Sequence, residues 1–315
     1  MKTAKAYSRG FVKAGSRKMA ATVIYIITLI LALLLAIPFR SMLNKIAGNS
    51  MSIESMIKGF DFTTYSDFLR SAGHAVYPFI TSAVLIGILY FVFTVFFAGG
   101  ILKFLNDENL KFSAGIFFEN CAVYFFRFLR LAVYILILQL IFAFIIFVPL
   151  GMVLAFVSDS VQNESAFFYI VLTGLIVYLF FFLLVLIIGD YAKIILFVND
   201  SRKSLKSVWS AVKFVFKHFI STYLLYLLLL VAPLLLFALY FYLDNVIGAV
   251  SALTILIMFL IQQVLVWLRT WIKIWFLGSE LSLYGLFPFI QAEYSAKKTV
   301  RAQQNSGDIL PDTPE

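Results

Sequence analysis

The sequence predicts an all-α polytopic membrane protein with six transmembrane helices, and three observations carry that prediction. Hydrophobic residues make up 63% of the 315-residue chain and charged residues 13%, with a mean hydropathy of +0.99. A soluble globular domain is nearer half apolar and a quarter charged. Six apolar runs reach the roughly 20 residues that cross a hydrocarbon core of about 30 Å. Lys and Arg gather in alternate connections, the pattern left by positive-inside insertion. With 36 Phe against 16 Gly and 7 Pro, disorder and collagen-like repeats are excluded as well. In an apolar medium the spans must be helical, because unpaired backbone groups find no partner there.

Residues 1–19 form a basic segment carrying Lys2, Lys5, Arg9, Lys13, Arg17 and Lys18. The first span, 20–38, follows. A cleavable signal peptide shares its basic leader and apolar run. The long leader, the long run and the sequence AIPFRS after it favour a retained helix. The outer segment from Arg40 to Tyr77 contains FDFTTYSDFLR. There Thr64 and Asp67 have capping-box spacing before Phe68 and Leu69, which predicts a short helix on the outer surface. The second span covers 76–97, the third 131–157, the fourth 166–188, the fifth 221–243 and the sixth 246–268. Together they make a membrane domain over 20–285, and residues 286–315 form a cytoplasmic tail. The end of that tail, QQNSGDILPDTPE, is polar, carries two prolines and lacks periodicity, so disorder is expected.

Of the 25 Lys and Arg, 21 fall on one side of this topology. Only Arg40, Lys45, Lys58 and Arg70 fall on the other, which places both termini in the cytoplasm. The net charge of +9 therefore records orientation, and no nucleic-acid partner is expected. Cys121 is the one cysteine, so no intramolecular disulfide forms.

Between spans two and three, residues 113–130 predict an embedded helix that is apolar nearly all round. Its one polar stripe holds Glu119, Asn120, Arg127 and Arg130. Between spans four and five, SLKSVWSAVKFVFKHF predicts a basic amphipathic helix. At 100° per residue, Lys203, Lys206, Lys213 and Lys217 share a strip about 80° wide, opposite Val208, Val212, Val215 and Phe219. Three readings of the strip stay open: a snorkelling face that sets helix depth, contact with anionic lipid headgroups, or a funnel for an anionic substrate.

Span two ends in ILKFLND (101–107) and span four in IILFVND (194–200), identical at four of seven positions. Each precedes a helix with basic residues and then another span, as in parallel hairpin repeats. FLGSE (276–280) echoes FLNDE (104–108), and Lys13, Arg17, Lys18 and Thr22 echo Lys213, Lys217, His218 and Thr222. Spans six and one would then be a permuted third hairpin. Two copies and three both remain open.

Ionisable groups at membrane depth point to function by default. Asp190, whose nearest partners would be Lys193 one turn on or the lysine strip, is the strongest such candidate; Gln139 and Gln262 beside Gln263 are uncharged ones. Pro149 with Gly151, and Pro233, are candidate kinks. His218 and His74 read as interfacial residues and Cys121 as packing. The chain contains no paired-glycine phosphate loop, HExxH, CxxC, nucleophile elbow or carboxylate cluster. No enzyme activity, cofactor or metal is expected.

The stretch FFAGGILKFLNDENLKFSAGIFFENCAVYFFRFLRL, with DYAKIILFVNDSRKSLKSVWSAVKFVFKHF, resembles an uncharacterised family of six-span bacterial membrane proteins. That family is distantly similar to the membrane domain attached to some glycerophosphodiester phosphodiesterases. The similarity covers roughly residues 15–285. It rests on an outer-loop helix, Gly99-Gly100 at an inner helix end and the basic inner helices. No soluble phosphodiesterase domain has a counterpart, so no catalytic residue carries over. The resemblance implies a bacterial inner membrane and no established activity.

The resulting expectation is an integral inner-membrane module that interacts with lipids, chiefly anionic headgroups, or docks a protein partner. Its candidate contacts are Lys203, Lys206, Lys213, Lys217, Arg127 and Arg130. One alternative is a small transporter or flippase-like protein for an anionic amphiphile, using Asp190, Gln139 or Gln262. Another is a membrane subunit that anchors a cytoplasmic enzyme.

Overall fold

The computed structural model describes residues 2–47, 62, 63, 65, 66, 70, 76–107, 109–160, 164–247 and 251–287. Among them are eight long helices and no strand: α1 (Lys2–Gly15), α2 (Lys18–Ala47), α3 (Val76–Asn106), α4 (Ala114–Ser160), α5 (Glu164–Val198), α6 (Ser204–Lys217), α7 (Phe219–Ile247) and α8 (Ala252–Gly285). Six of these, all but α1 and α6, are long and apolar enough to cross a membrane. Thr64, Asp67, His74, Lys58 and everything after Phe287, the tail with Lys297, Lys298 and Arg301 included, lie outside the described residues.

The chain forms two units. In the one comprising Thr22–Val95, the rings of Phe39 and Phe79 meet at 5.3 Å. Residues 62, 63, 65 and 66 of the outer segment are helical, and Ser66 Oγ donates to the Thr63 carbonyl at 2.9 Å, as a helical hydroxyl does. All that follows concerns the other unit, Met1–Ala21 with Phe96–Glu315.

There the helix expected at 113–130 and the third span are one helix, α4, of 47 residues. At 1.5 Å per residue it is about 70 Å long, more than twice the thickness of a hydrocarbon core. Nothing between Ile116 and Val148 could break it, since that run holds neither Gly nor Pro. Pro149 and Pro233, the candidate kinks, both lie inside continuous helices.

The N-terminal segment, read from sequence only as a basic leader, is a helix docked on the C-terminal part of α8. Thr3, Ala6, Gly10 and Ala14 recur every three or four residues and are buried, so small side chains line one face of α1. They allow Gly10 to approach Ser279 so closely that a Cβ there would lie 2.5 Å from the Ser279 backbone nitrogen. The indoles of Trp271 and Trp275 donate to the carbonyls of Ala14 (3.0 Å) and Tyr7 (3.2 Å). At the break before α2, Arg17 is 7% exposed. It donates to the carbonyls of Leu110 (2.6 Å) and Asp107 (2.8 Å), closing the turn that follows α3.

The α3–α4 contact uses the same device. Gly99 faces the Asn120 carbonyl, 2.6 Å from where its Cβ would be, and Gly100 faces Cys121 and the Phe117 ring. Phe104, Phe117, Phe128, Tyr191, Ile194, Leu196 and Leu225 are fully buried around this end of the unit. At the far ends of the helices the apolar side chains are bare, as at Phe144 and Phe156 in α4, Phe168 in α5, Leu234 in α7 and Leu253 in α8. In water that surface would be a severe liability; in hydrocarbon it is the lipid-facing wall.

Candidate functional site: a cationic groove beside α6

The groove begins with a chain reversal. Asp200, at φ 47, takes the left-handed conformation that ends α5. Ser201 N–H then donates back to the Leu196 carbonyl at 3.1 Å and Asp200 N–H to the Phe197 carbonyl at 3.2 Å, which satisfies carbonyls that a helix end leaves open. The Asp200 carboxylate accepts from Arg127 at 2.6 Å and from the Tyr124 hydroxyl at 3.3 Å. Ser204 Oγ donates to the Arg127 carbonyl at 3.1 Å. Arg127 therefore ties α4 to the α5–α6 turn.

One turn along α4, Arg130 faces the start of α6 across an open groove of about 740 Å³. Its walls carry Arg130, Arg202, Lys203 and Lys206, with Tyr134 and Trp209. Arg130 Nε donates to the Phe126 carbonyl. Among the described residues, none of these four cations pairs with a carboxylate. The groove is thus rimmed by four positive charges that the fold holds close together without neutralising.

The arrangement of α6 differs from the expected wheel. Its packed face is Ser204, Ser207, Ala211, Phe214 and Val215, an arc about 80–180° from Lys206. Of the valines expected opposite the lysines, Val215 is buried, Val212 half-buried, and Val208 lines the groove. Small residues let α6 approach α5 and α4 closely, and that outweighs simple apolarity in choosing the packed face. The remaining arc holds Leu205, Trp209 and Phe216, each at least 60% exposed. α6 therefore has three faces: one packed, one apolar and bare, and a cationic strip between. Lys203, Lys206, Lys213 and Lys217 are all exposed on that strip. Lys203 and Lys206 enter the groove, whereas Lys213 lies over the Trp209 ring at 5.5 Å.

His218 sits at the end of α6 with its ring stacked 3.8 Å from that of Phe287. Burial first, and then the neighbouring Lys217 and Lys2 ammonium groups, hold it below the usual histidine range. It is a packing group at the junction.

The polar residues expected at membrane depth are dispersed. Asp190 accepts from Lys193 at 2.7 Å, the first of the two partners that the sequence offered. Both polar atoms of the Gln139 amide are buried without a hydrogen-bond partner. Gln262 donates to the Tyr240 hydroxyl at 3.2 Å and lines a second groove, about 500 Å³, with Gln263, Pro233, Phe237 and Arg269. Neither Asp190 nor Gln139 lines that groove.

Sequence reasoning missed Arg202, Tyr134 and Trp209: Tyr134 lies one turn beyond Arg130 on α4, and the approach of Arg202 and Trp209 to Arg130 depends on how α6 folds back. It also missed Glu280, which is 1% exposed. A lone acidic residue in the otherwise uncharged WFLGSELSLYG was the available signal. No family model, curated protein or solved structure matches the chain.

Proposed function

We propose that this chain is a bacterial inner-membrane module that holds anionic phospholipid headgroups in the groove between Arg130 and α6, with both termini in the cytoplasm. Its role on this reading is binding, not catalysis. The observation that carries it is the groove itself: four cations from α4, the α5–α6 turn and α6, none paired with a carboxylate among the described residues, beside the bare apolar arc of Leu205, Trp209 and Phe216. Such a helix lies with its apolar arc in the acyl region and its cations at phosphate depth. The positive-inside pattern then puts the groove at the cytoplasmic leaflet, where anionic lipid attracts basic residues.

The three-hairpin reading of the fold fits the same picture. α1 lies on the C-terminal part of α8, as the start of α4 lies on α3 and α6 lies on α5. Each copy presents a short helical layer at the proposed cytoplasmic side.

Charge reversal tests the proposal. At about 1 kcal/mol per basic residue near an anionic surface, the triple variant Arg130→Glu, Lys203→Glu, Lys206→Glu loses about two orders of magnitude in preference for anionic over zwitterionic lipid. Mass spectrometry of lipids co-purified with the full chain reads this loss. Reversing Lys213 and Lys217 outside the groove has a smaller effect. An unchanged lipid profile in the triple variant refutes the headgroup site. Recovery of a stoichiometric soluble protein, lost on the same charge reversal, turns the assignment to partner docking instead. Impermeant labels that reach either chain end in intact cells refute the orientation.

The transporter alternative draws on the second groove, where Arg269 and two glutamines sit beside apolar residues of α7 and α8. An open groove with that lining suits an amphiphile with an anionic head. It requires that Arg269→Ala abolish transport while leaving lipid at the first groove intact.

A further inference from the structure

Glu280 is the most anomalous group among the described residues. Its side chain is 1% exposed, and neither carboxyl oxygen has a hydrogen-bond partner. Two neighbouring polar atoms share that condition: the hydroxyls of Tyr191 and Ser279, in residues that are fully buried. A buried polar atom without a partner is rare, and a bare buried carboxylate is far more costly than a bare hydroxyl.

The charged groups that act on Glu280 come from α5, which contributes Asp190 and Lys193. The Glu280 carboxyl acts in turn on the hydroxyls of Tyr191 on α5 and Tyr226 on α7. On its own helix the adjacent Ser279 faces Gly10 of α1. The only ammonium among these groups, Lys193, already donates to Asp190 at 2.7 Å. Two carboxyls thus share one cation. The Asp190 and Lys193 side chains are 21% and 26% exposed, while Glu280 is buried.

Charge balance then dictates the chemistry. With both carboxyls ionised the cluster carries an uncompensated negative charge in a nearly dry site, an arrangement that proteins avoid by neutralising one group. Adding one proton makes the cluster neutral, and it can do so in two ways. Glu280 is protonated while Lys193 pairs with Asp190, or Asp190 is protonated while Lys193 turns to Glu280.

We infer that Glu280 and Asp190 form a two-carboxyl proton site, holding one exchangeable proton between them with Lys193 as the switching counter-ion. Passage of the proton breaks the O–H bond at one carboxyl and forms it at the other. The Lys193 ammonium moves to whichever carboxylate is left, and no other bond changes. Asp190, the more exposed carboxyl, is the end at which the proton enters and leaves. This site is separate from the cationic groove and does not depend on the lipid reading.

Infrared spectroscopy of the full chain in lipid nanodiscs tests the inference, because a protonated carboxyl has its own carbonyl band. At neutral pH the wild type shows such a band, and transfer to D2O shifts it. Glu280→Gln removes it. Asp190→Asn also removes it, although Glu280 is still present, because Lys193 is then free to neutralise Glu280 alone. Lys193→Met about doubles it, since both carboxyls then need a proton. A purely structural Glu280 would not respond to Asp190→Asn. A band that survives both carboxyl changes, or that never shifts in D2O, overturns the proposal. If Glu280→Gln fails to fold, the Asp190→Asn and Lys193→Met results decide the matter between them.

Discussion

Replacing Gly10 with leucine is expected to detach the N-terminal helix from α8. Even the first carbon of the new side chain would lie 2.5 Å from both the nitrogen and the Cα of Ser279. Those are backbone atoms inside a helix and cannot swing aside, so α1 must lift. Overpacking of a tight contact typically costs 1–3 kcal/mol, and the upper end, about 3 kcal/mol, is expected here. That corresponds to roughly a hundredfold loss of amide protection along residues 2–15, which hydrogen exchange reads directly. Trp271 and Trp275 lose the carbonyls of Ala14 and Tyr7 as partners, so tryptophan fluorescence shifts toward the solvated value. Gly15→Ala is the control. No atom lies within 4 Å of its would-be Cβ, and exchange protection should hold or rise slightly through the better helix propensity of alanine. Equal behaviour of the two variants would refute the close-approach account of α1.

The second large effect is expected at Arg17. Its guanidinium joins the α1–α2 junction to the turn after α3 through two short bonds to the carbonyls of Leu110 and Asp107. Its Cζ also lies 5.6 Å from the centre of the Phe104 ring. Arg17→Ala removes charge-assisted donors from a nearly buried site and strands two acceptors, at a loss of about 3 kcal/mol. The thermal unfolding midpoint of the purified protein falls, and the connection at 107–113 becomes sensitive to protease. Arg17→Lys recovers only part of the loss, because one ammonium does not reproduce the planar two-pronged geometry. An unchanged midpoint in Arg17→Ala would show that the connection is held by other contacts.

Both residues show where sequence reading stopped. In the sequence Arg17 is one of six cations marking orientation, since a positive charge near a span has a default reading whatever it touches. Only the folded chain sets it against carbonyls 90 and 93 residues away. The repeat of small residues at Thr3, Ala6, Gly10 and Ala14 was legible as a helical spacing. It was overshadowed by the Lys and Arg on the other faces of the same helix. The α6 lysine strip was legible in full, because a helix maps spacing onto direction with one fixed angle. Which of its cations would meet Arg130, and which apolar arc would stay bare, was not legible. Those depend on Asp200 turning the chain back and on Ser204, Ser207 and Ala211 letting α6 settle against its neighbours.

From sequence alone come the number of apolar helices, their order and the side on which cations concentrate. These follow from local, additive quantities: hydrophobic length against bilayer thickness, and charge in each connection. The tertiary structure decides which polar groups share a space: Arg130 with Lys203 and Lys206 at the groove, and Glu280 with Asp190 and Lys193 in the interior. Those meetings join helices far apart in the chain. In an apolar composition such as this one, close packing at a few small residues selects them, and no local pattern encodes the result.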